Sequence, residues 1–465
     1  MEKEGNNMTK ESQQYEKMLN TPIKKLVVTL GIPTVISMLI TSIYNIADTF
    51  FVSQLGTAVS GAVSVAFPLM SVIQAIGFTL GMGGGSVISS LLGEKKDKEA
   101  QVVGSSAFYC AIALGLLITV FSLIFIDPLM YLLGATKTGF EYAKDYSLYI
   151  VLGAPIMTGS FVLNNLLRSE GKSKLAMIGL TIGGLLNIAL DPLFIYILDF
   201  GISGAAIATI ISQFISFSIL LSMFVFKKSI IKLSPFMISK EFGVYFEVFK
   251  VGFPSLCRQG LACIATILLN NQAKTYGSDA ALSAMGIVSK IFTVIFSVSL
   301  GIGQGYQPVC GYNYYAKRYD RVKEAMLFTF YIMIIIITTL SGFFFIFSNK
   351  VMEIFRDDQE VIAIGSKALK WQCAALPFVS INVISNMTFQ STKQKFKASL
   401  LSCCRQGIFF IPLIIVLPLI IDITGVIITQ ACADFLTCLF TIPFFIGLMK
   451  NINKSIKNSN DMLVN

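Results

Sequence analysis

Apolar residues run along this chain in long unbroken stretches, separated by short polar segments rich in lysine and arginine. Twelve stretches are long enough to cross the hydrocarbon core of a bilayer as helices, which takes roughly 20 residues each. They lie at 26–53, 60–92, 101–126, 143–167, 175–198, 202–226, 247–270, 280–308, 324–348, 363–390, 398–421 and 425–449. No alternating barrel pattern competes with them, and in lipid a helix satisfies its own backbone polar groups. The expected fold class is an all-α integral membrane protein with twelve transmembrane helices.

Composition agrees with that pattern. Of 465 residues, 54% are hydrophobic and only 13% charged, about half the charge of a soluble domain, with a mean hydropathy of +0.73. Histidine is absent, which removes histidine metal sites, general bases and proton switches. The nine cysteines show no C-x-x-C spacing and read as small buried hydrophobes, so no disulfide framework or cofactor is expected. The net charge of +10 is spread over short loops and forms no patch, which argues against a nucleic-acid partner. Residues 1–25 are polar and lack the apolar core of a cleavable signal peptide.

With the N-terminal tail inside, the inner segments hold 26 basic residues and the outer loops 5. That asymmetry predicts both termini in the cytoplasm. The chain also repeats at an offset of about 221: Gly31-Ile32-Pro33 matches Gly252-Phe253-Pro254, Gly56 matches Gly277, and Gly81-x-Gly83-x-Gly85 matches Gly301-x-Gly303-x-Gly305. Six helices per copy is an even number, so the copies enter from the same side as parallel repeats. The expected organisation is a cytoplasmic tail at 1–25, a first bundle at 26–226, a basic linker at 227–246 lying along the inner membrane surface, a second bundle at 247–449 and a tail at 450–465. Two related bundles around a midplane cavity make a transporter architecture.

Acidic residues inside apolar helices are costly and are functional candidates by default. Asp48 lies five residues from the outer edge of the first stretch and Asp191 seven from that of the fifth, so their depths differ by roughly 3 Å. Tyr44 is i−4 to Asp48 and Asn187 is i−4 to Asp191, each pair on one helix face. Thr209 enters the sixth stretch at the same level. Oxygen ligands of this kind suit a hard cation, and two close carboxylates suit a shared proton. The repeat maps Asp48 onto Leu269 and Asp191 onto Leu413, which confines ion handling to the first half.

Asp434 lies in the last stretch, with Lys290 at a comparable depth in the eighth, so Asp434 pairs with Lys290 or Arg258 or takes a functional role. Arg258 faces the cavity or a partner. Gly81-Met-Gly-Gly-Gly85 and Gly301-Ile-Gly-Gln-Gly305 resemble dinucleotide loops, yet neither follows a strand, and close helix packing or flexure explains them better. Glu170-Gly171-Lys172-Ser173 resembles the end of a P-loop, but Leu166 stands where its first glycine belongs. Pro33 interrupts the hydrogen-bond ladder of the first helix fifteen residues before Asp48 and allows a bend there.

Several segments resemble the bacterial multidrug branch of the MATE (multidrug and toxic compound extrusion) family: Ala47-Asp-Thr-Phe-Phe-Val-Ser-Gln-Leu-Gly56, Asn164-Asn-Leu-Leu-Arg-Ser-Glu-Gly171, Asn187-Ile-Ala-Leu-Asp-Pro-Leu-Phe194, Gly305-Tyr-Gln-Pro-Val-Cys-Gly-Tyr-Asn-Tyr-Tyr315 and Arg405-Gln-Gly-Ile-Phe-Phe-Ile-Pro412. The resemblance spans about residues 20–450. It implies two six-helix lobes forming a V-shaped cavity, and export of organic cations and other amphipathic drugs in exchange for Na⁺ or H⁺. It also implies a cation site at Asp48, Asn187, Asp191 and Thr209, with the Ala205 carbonyl as a further ligand, Tyr44 beside it and Pro33 as the bend of helix 1. Some branches carry carboxylates in helices 7 and 10 instead; here only Glu247 stands at the inner edge of the seventh stretch, so a site of that type is not expected.

The expectation is therefore an ion-coupled antiporter, a monomer in the bacterial plasma membrane with small organic, cationic substrates and no enzymatic activity. The nearest alternative is a lipid-linked precursor flippase of the same superfamily, for which Arg258, Lys290 and Arg405 would supply cations.

Overall fold

The computed structural model describes residues 10–135 and 139–464, and among them it is all helical, with no strand. The first lobe contains α1 (Ile23–Ser53), α2 (Thr57–Gly93), α3 (Asp97–Ile124), α4 (Phe140–Leu152 and Ala154–Ser169), α5 (Ser173–Pro192) and α6 (Gly201–Val225). The second contains α7 (Phe242–Tyr276), α8 (Asp279–Tyr315), α9 (Tyr319–Ile346), α10 (Gln359–Ser391), α11 (from Lys395 through a π-helical turn, Cys404–Phe409) and α12, which runs to Val464. Helices α11 and α12 are continuous except at Ile421 and Asp422, where Asp422 takes a φ of 47° and turns the chain back. Short helices Ile126–Leu132 and Ser348–Phe355 follow α3 and α9.

Two details depart from the sequence expectation, and the anchoring of the linker adds a third feature. The fourth stretch is two helices bent by 49° at Gly153, because Pro155 opens the second helix without an N–H to continue the first. Residues on either side of the expected bundles are helical: Lys10–Asn20 forms a separate helix, and α12 continues beyond 449. The linker is held to the first lobe at its start. Ser229, Ile230 and Ile231 are buried, and the Glu170 carboxylate accepts hydrogen bonds from Ser229 Oγ and from the backbone N–H groups of Ile230 (2.8 Å) and Ile231 (3.1 Å). Ser106 Oγ accepts from the Ser239 N–H at 2.8 Å.

The lobes meet through α2 on α7 and α1 on α8, the two most extensive helix contacts in the described structure. These contacts need glycine. The Gly252 backbone lies against the Thr79 carbonyl, and a methyl group on Gly301 would stand 2.6 Å from Val35 Cα. Likewise, one on Gly305 would stand 2.5 Å from Gly31 Cα. The glycine runs are packing surfaces, as expected in lipid, where close van der Waals approach drives helix association. All these contacts sit in the halves of the helices nearest the face where α1 begins, called here the N-terminal face. The helix Lys10–Asn20 docks on that face and touches both lobes: Gln14 donates to the Glu170 carbonyl, while Arg321 donates to the Thr21 carbonyl just beyond the helix. In the opposite half of α7, Gly260 has nothing within 4 Å of its Cβ position. The lobes are closed on the N-terminal face. Helix α1 itself passes through Pro33 as one unbroken helix.

Candidate functional site

Helices α1 and α5 run in the same direction and touch at Gly184, where an added Cβ would stand 2.7 Å from Ile40 Cγ2 and 3.3 Å from Tyr44 Cδ1. Advancing one to two turns from this contact brings Asp48 on α1 level with Asn187 and Asp191 on α5. Helix α6 packs on the other side of α5, with Ser216 Cβ 2.7 Å from the Cβ position of Gly183. It thereby brings up Thr209 and Ala205. Asn187 Nδ2 donates to Asp191 Oδ1 at 3.1 Å and to Thr209 Oγ1 at 3.3 Å. Asp191 and Ala205 are fully buried, Asn187 and Thr209 nearly so, and Asp48 and Tyr44 partly. The charges of Asp48 and Asp191 are near enough to act on one another. Asp191 is followed by Pro192 and a π-helical turn at Leu193–Ile197, an irregularity common at functional sites in helices.

Three oxygens of this cluster have no hydrogen-bond donor: Asp48 Oδ1, Asp191 Oδ2 and Asn187 Oδ1 are buried and unpartnered. Buried polar atoms are nearly always paired, because an unmade bond costs about 1–3 kcal/mol, more for a charged group. An apolar cluster that includes Val52, Tyr146, Ile195 and Ala205 keeps the surroundings dry. The side-chain groups gathered here offer oxygens that can take a proton or ligate a hard cation.

Sequence reasoning did not single out two residues. Tyr146 on α4 is fully buried, lies in the field of both Asp48 and Asp191, and turns its hydroxyl toward Met70 Sδ at 3.8 Å. Its only signal was a tyrosine early in the fourth stretch, which is a weak one. Arg168 is buried at the end of α4 and joins the lobes by donating to Asn164 within its own helix and to Gln304 on α8. Its place in the Asn164–Gly171 segment was visible, but its partner across the chain was not.

In the second lobe the structure corrects one expected pairing. Asp434 pairs with neither Lys290 nor Arg258. Arg405 Nε donates to Asp434 Oδ1 at 2.7 Å and Arg405 Nη2 to Oδ2 at 3.3 Å, and Gln430 Nε2 adds a bond at 2.9 Å. The guanidinium also lies over the rings of Phe292 and Phe296, 4.7 and 4.8 Å from their centroids. The partners of Asp434, on α12, are therefore Arg405 and Gln430. Lys290 on α8 is half-buried and forms no ion pair among the described residues. Arg258 on α7 has no acidic partner among them either; its Nη2 reaches Met82 Sδ of the first lobe at 3.4 Å.

Comparison with known proteins follows the same division of the chain. The MatE family model matches twice, over residues 33–193 and 254–416, one match in each half and with the offset of the internal repeat. The multidrug export protein MepA of Staphylococcus haemolyticus is 27% identical over 430 residues, 92% of this chain and 94% of that protein. MepA of Staphylococcus aureus is 26% identical over 420 residues, 90% and 92% of the two chains. Among solved structures, an outward-facing multidrug resistance MATE transporter of the MOP superfamily superimposes with a TM-score of 0.90 at 26% identity, covering 96% of this chain and 99% of the other. With its family model matched over most of its length and its fold shared with MATE transporters, this multi-pass membrane chain belongs to the MatE family.

Proposed function

We propose that this chain is a secondary active antiporter that exports cationic or amphipathic organic compounds from a bacterial cell in exchange for Na⁺ or H⁺. The observation that carries the reading is the set of unpartnered oxygens on Asp48, Asp191 and Asn187, beside Thr209 and Ala205. The names of the relatives, multidrug export proteins, supply the substrate class. Both termini are cytoplasmic, as the basic loops suggest, which makes the N-terminal face the inner one and the arrangement described here outward-facing.

In the proposed cycle an outside ion or proton enters the Asp48/Asp191 site and draws α1, α5 and α6 together. Helix α1 carries the change to the lobe interface, because Val35 packs on Gly301 about three and a half turns below Asp48. Pro33 is where α1 bends. Drug is released outward, and the ion-free site facing inward favours drug again. Coupling requires that ion and drug stabilise different states, since a ligand with equal affinity for both shifts nothing. The chain works as a monomer and needs no cofactor besides the coupling ion.

The precursor-flippase alternative loses one of its three cations, because Asp434 neutralises Arg405. The test is efflux of a fluorescent organic cation from proteoliposomes under a Na⁺ gradient and, separately, a pH gradient, with wild type and Asp191→Asn side by side. Export driven by either gradient and lost in the variant supports the reading and names the ion. Export that the variant retains would sink the site assignment, and no export under either gradient would sink the antiporter.

A further inference from the structure

A small polar cavity lies between the lobes on the closed N-terminal side, among α2, α4 and α8, with room for about one small ion. Arg168 and Gln304 face each other across it, with Ser86 beside them, and none of its lining residues is acidic. Arg168 is 4% exposed and Gln304 2%, so neither has bulk water to turn to. A guanidinium carries five N–H donors. Those of Arg168 make three bonds, two to Asn164 Oδ1 and one to Gln304 Oε1. Both acceptors are neutral amide oxygens, and Arg168 forms no ion pair among the described residues. A buried charge without a counter-charge is costly. Gln304 supplies a second, independent sign. The guanidinium fixes its Oε1 and so orients the amide, while its Nε2 is buried and has no acceptor. The wall therefore gathers a cation, an unmet amide N–H₂ and the Ser86 hydroxyl around a space of about one ion.

We infer that this cavity binds a small monovalent anion, chloride, held between Arg168 of the first lobe and Gln304 of the second. Water would accept the same hydrogen bonds but leave the charge of Arg168 uncompensated, whereas a halide does both. Phosphate and sulfate are too large for the space. The two halves of the site come from different lobes, so the site is complete only while the N-terminal face is closed. The anion therefore stabilises the closed arrangement, because it binds that state better than one in which Arg168 and Gln304 have parted. The inference concerns the closure between the lobes. It does not depend on which compounds the chain exports or on the ion taken up at Asp48 and Asp191.

The test follows the thermal midpoint of the purified full chain in detergent as chloride replaces gluconate, with Na⁺ and ionic strength held constant. Wild type is expected to show a saturable rise of about 1–2 °C, the scale set by a ligand at about ten times its Kd in a chain of this size. Arg168→Gln removes the cation and should abolish the rise. Where that variant fails to fold, Gln304→Glu decides. It places a carboxylate beside Arg168, supplies the counter-charge from within the protein, and should make the midpoint indifferent to chloride. No rise in wild type overturns the site, and an equal rise in wild type and Gln304→Glu marks a general salt effect and overturns it too. Spin labels on α1 and α8 at the N-terminal face read the link to closure. Their mean distance in wild type should be longer in gluconate than in chloride, and a distribution that ignores the anion overturns that link.

Discussion

Arg405 and Asp434 face each other at 2.7 Å in the interior of the second lobe, from a π-helical turn on α11 and from α12, 29 residues apart in the chain. Asp434 is 1% exposed and Arg405 8%, so neither charge has water to fall back on. Removing one partner of such a pair costs about 3–5 kcal/mol, whereas replacing both with apolar groups of similar size is often neutral. Asp434→Asn is therefore expected to lower the thermal midpoint of the detergent-solubilised protein sharply. The double change Arg405→Met, Asp434→Leu should return it close to wild type. A fluorescence-detected melting series on the three proteins decides this, and a double variant as unstable as the single one would refute the structural role.

The proposed ion site makes a graded prediction. Thr209→Ala removes a hydroxyl that accepts from Asn187 at 3.3 Å, and Asn187→Ala removes the donor to Asp191. Each is expected to raise the Na⁺ or proton concentration for half-maximal efflux about tenfold, the effect of one lost buried polar contact. Maximal efflux should change little. An ion titration of transport in proteoliposomes measures both quantities.

The lobe interface predicts a conformational effect. A side chain at Gly301 would stand 2.6 Å from Val35 Cα, and backbone cannot move aside as a flexible side chain can. Overpacking of this kind costs about 1–3 kcal/mol, enough to shift an equilibrium roughly tenfold away from the closed N-terminal face. Gly301→Val should lengthen the distance between spin labels on α1 and α8 at that face and cut efflux by a similar factor. An unchanged distance distribution would show that the contact does not set the state.

Glu170 predicts a local one. Its carboxylate holds the inter-lobe linker through Ser229, Ile230 and Ile231, with Lys172 Nζ at 3.3 Å. Hydrogen bonds to a charged group are worth about 1.5–3 kcal/mol each. In Glu170→Ala the linker should open at least about tenfold more often, seen as faster tryptic cleavage after Lys228 and Lys232 in the folded protein, with Glu170→Gln between the two. Equal cleavage rates in all three would mean that the linker is held elsewhere.

The run of apolar stretches determined by itself that this chain is helical and spans a membrane, because only internally bonded backbone survives in lipid. The charged residues within those stretches were also legible. Counting residues from the helix ends put Asp48, Asn187, Asp191 and Thr209 at one level, and the structure brings Asn187, Asp191 and Thr209 into hydrogen-bond contact with Asp48 in their field. Glycine spacing announced close packing, since no strand stood beside it. What only the tertiary structure decided was partnership over distance. Lys290 and Arg258 were the candidates for Asp434, and Arg405 was not among them, because a helical period tells which face a residue occupies and not which helix that face meets. The π-helical turn at Cys404–Phe409 changes the phase of α11, and a phase error of one residue is about 100° around the helix. The anchoring of the linker escaped for a related reason: nothing in its basic, proline-containing sequence points to Glu170, some 60 residues away, which accepts from the Ile230 and Ile231 N–H groups. Arg258 stands apart only once Asp434 is seen to be taken by another arginine.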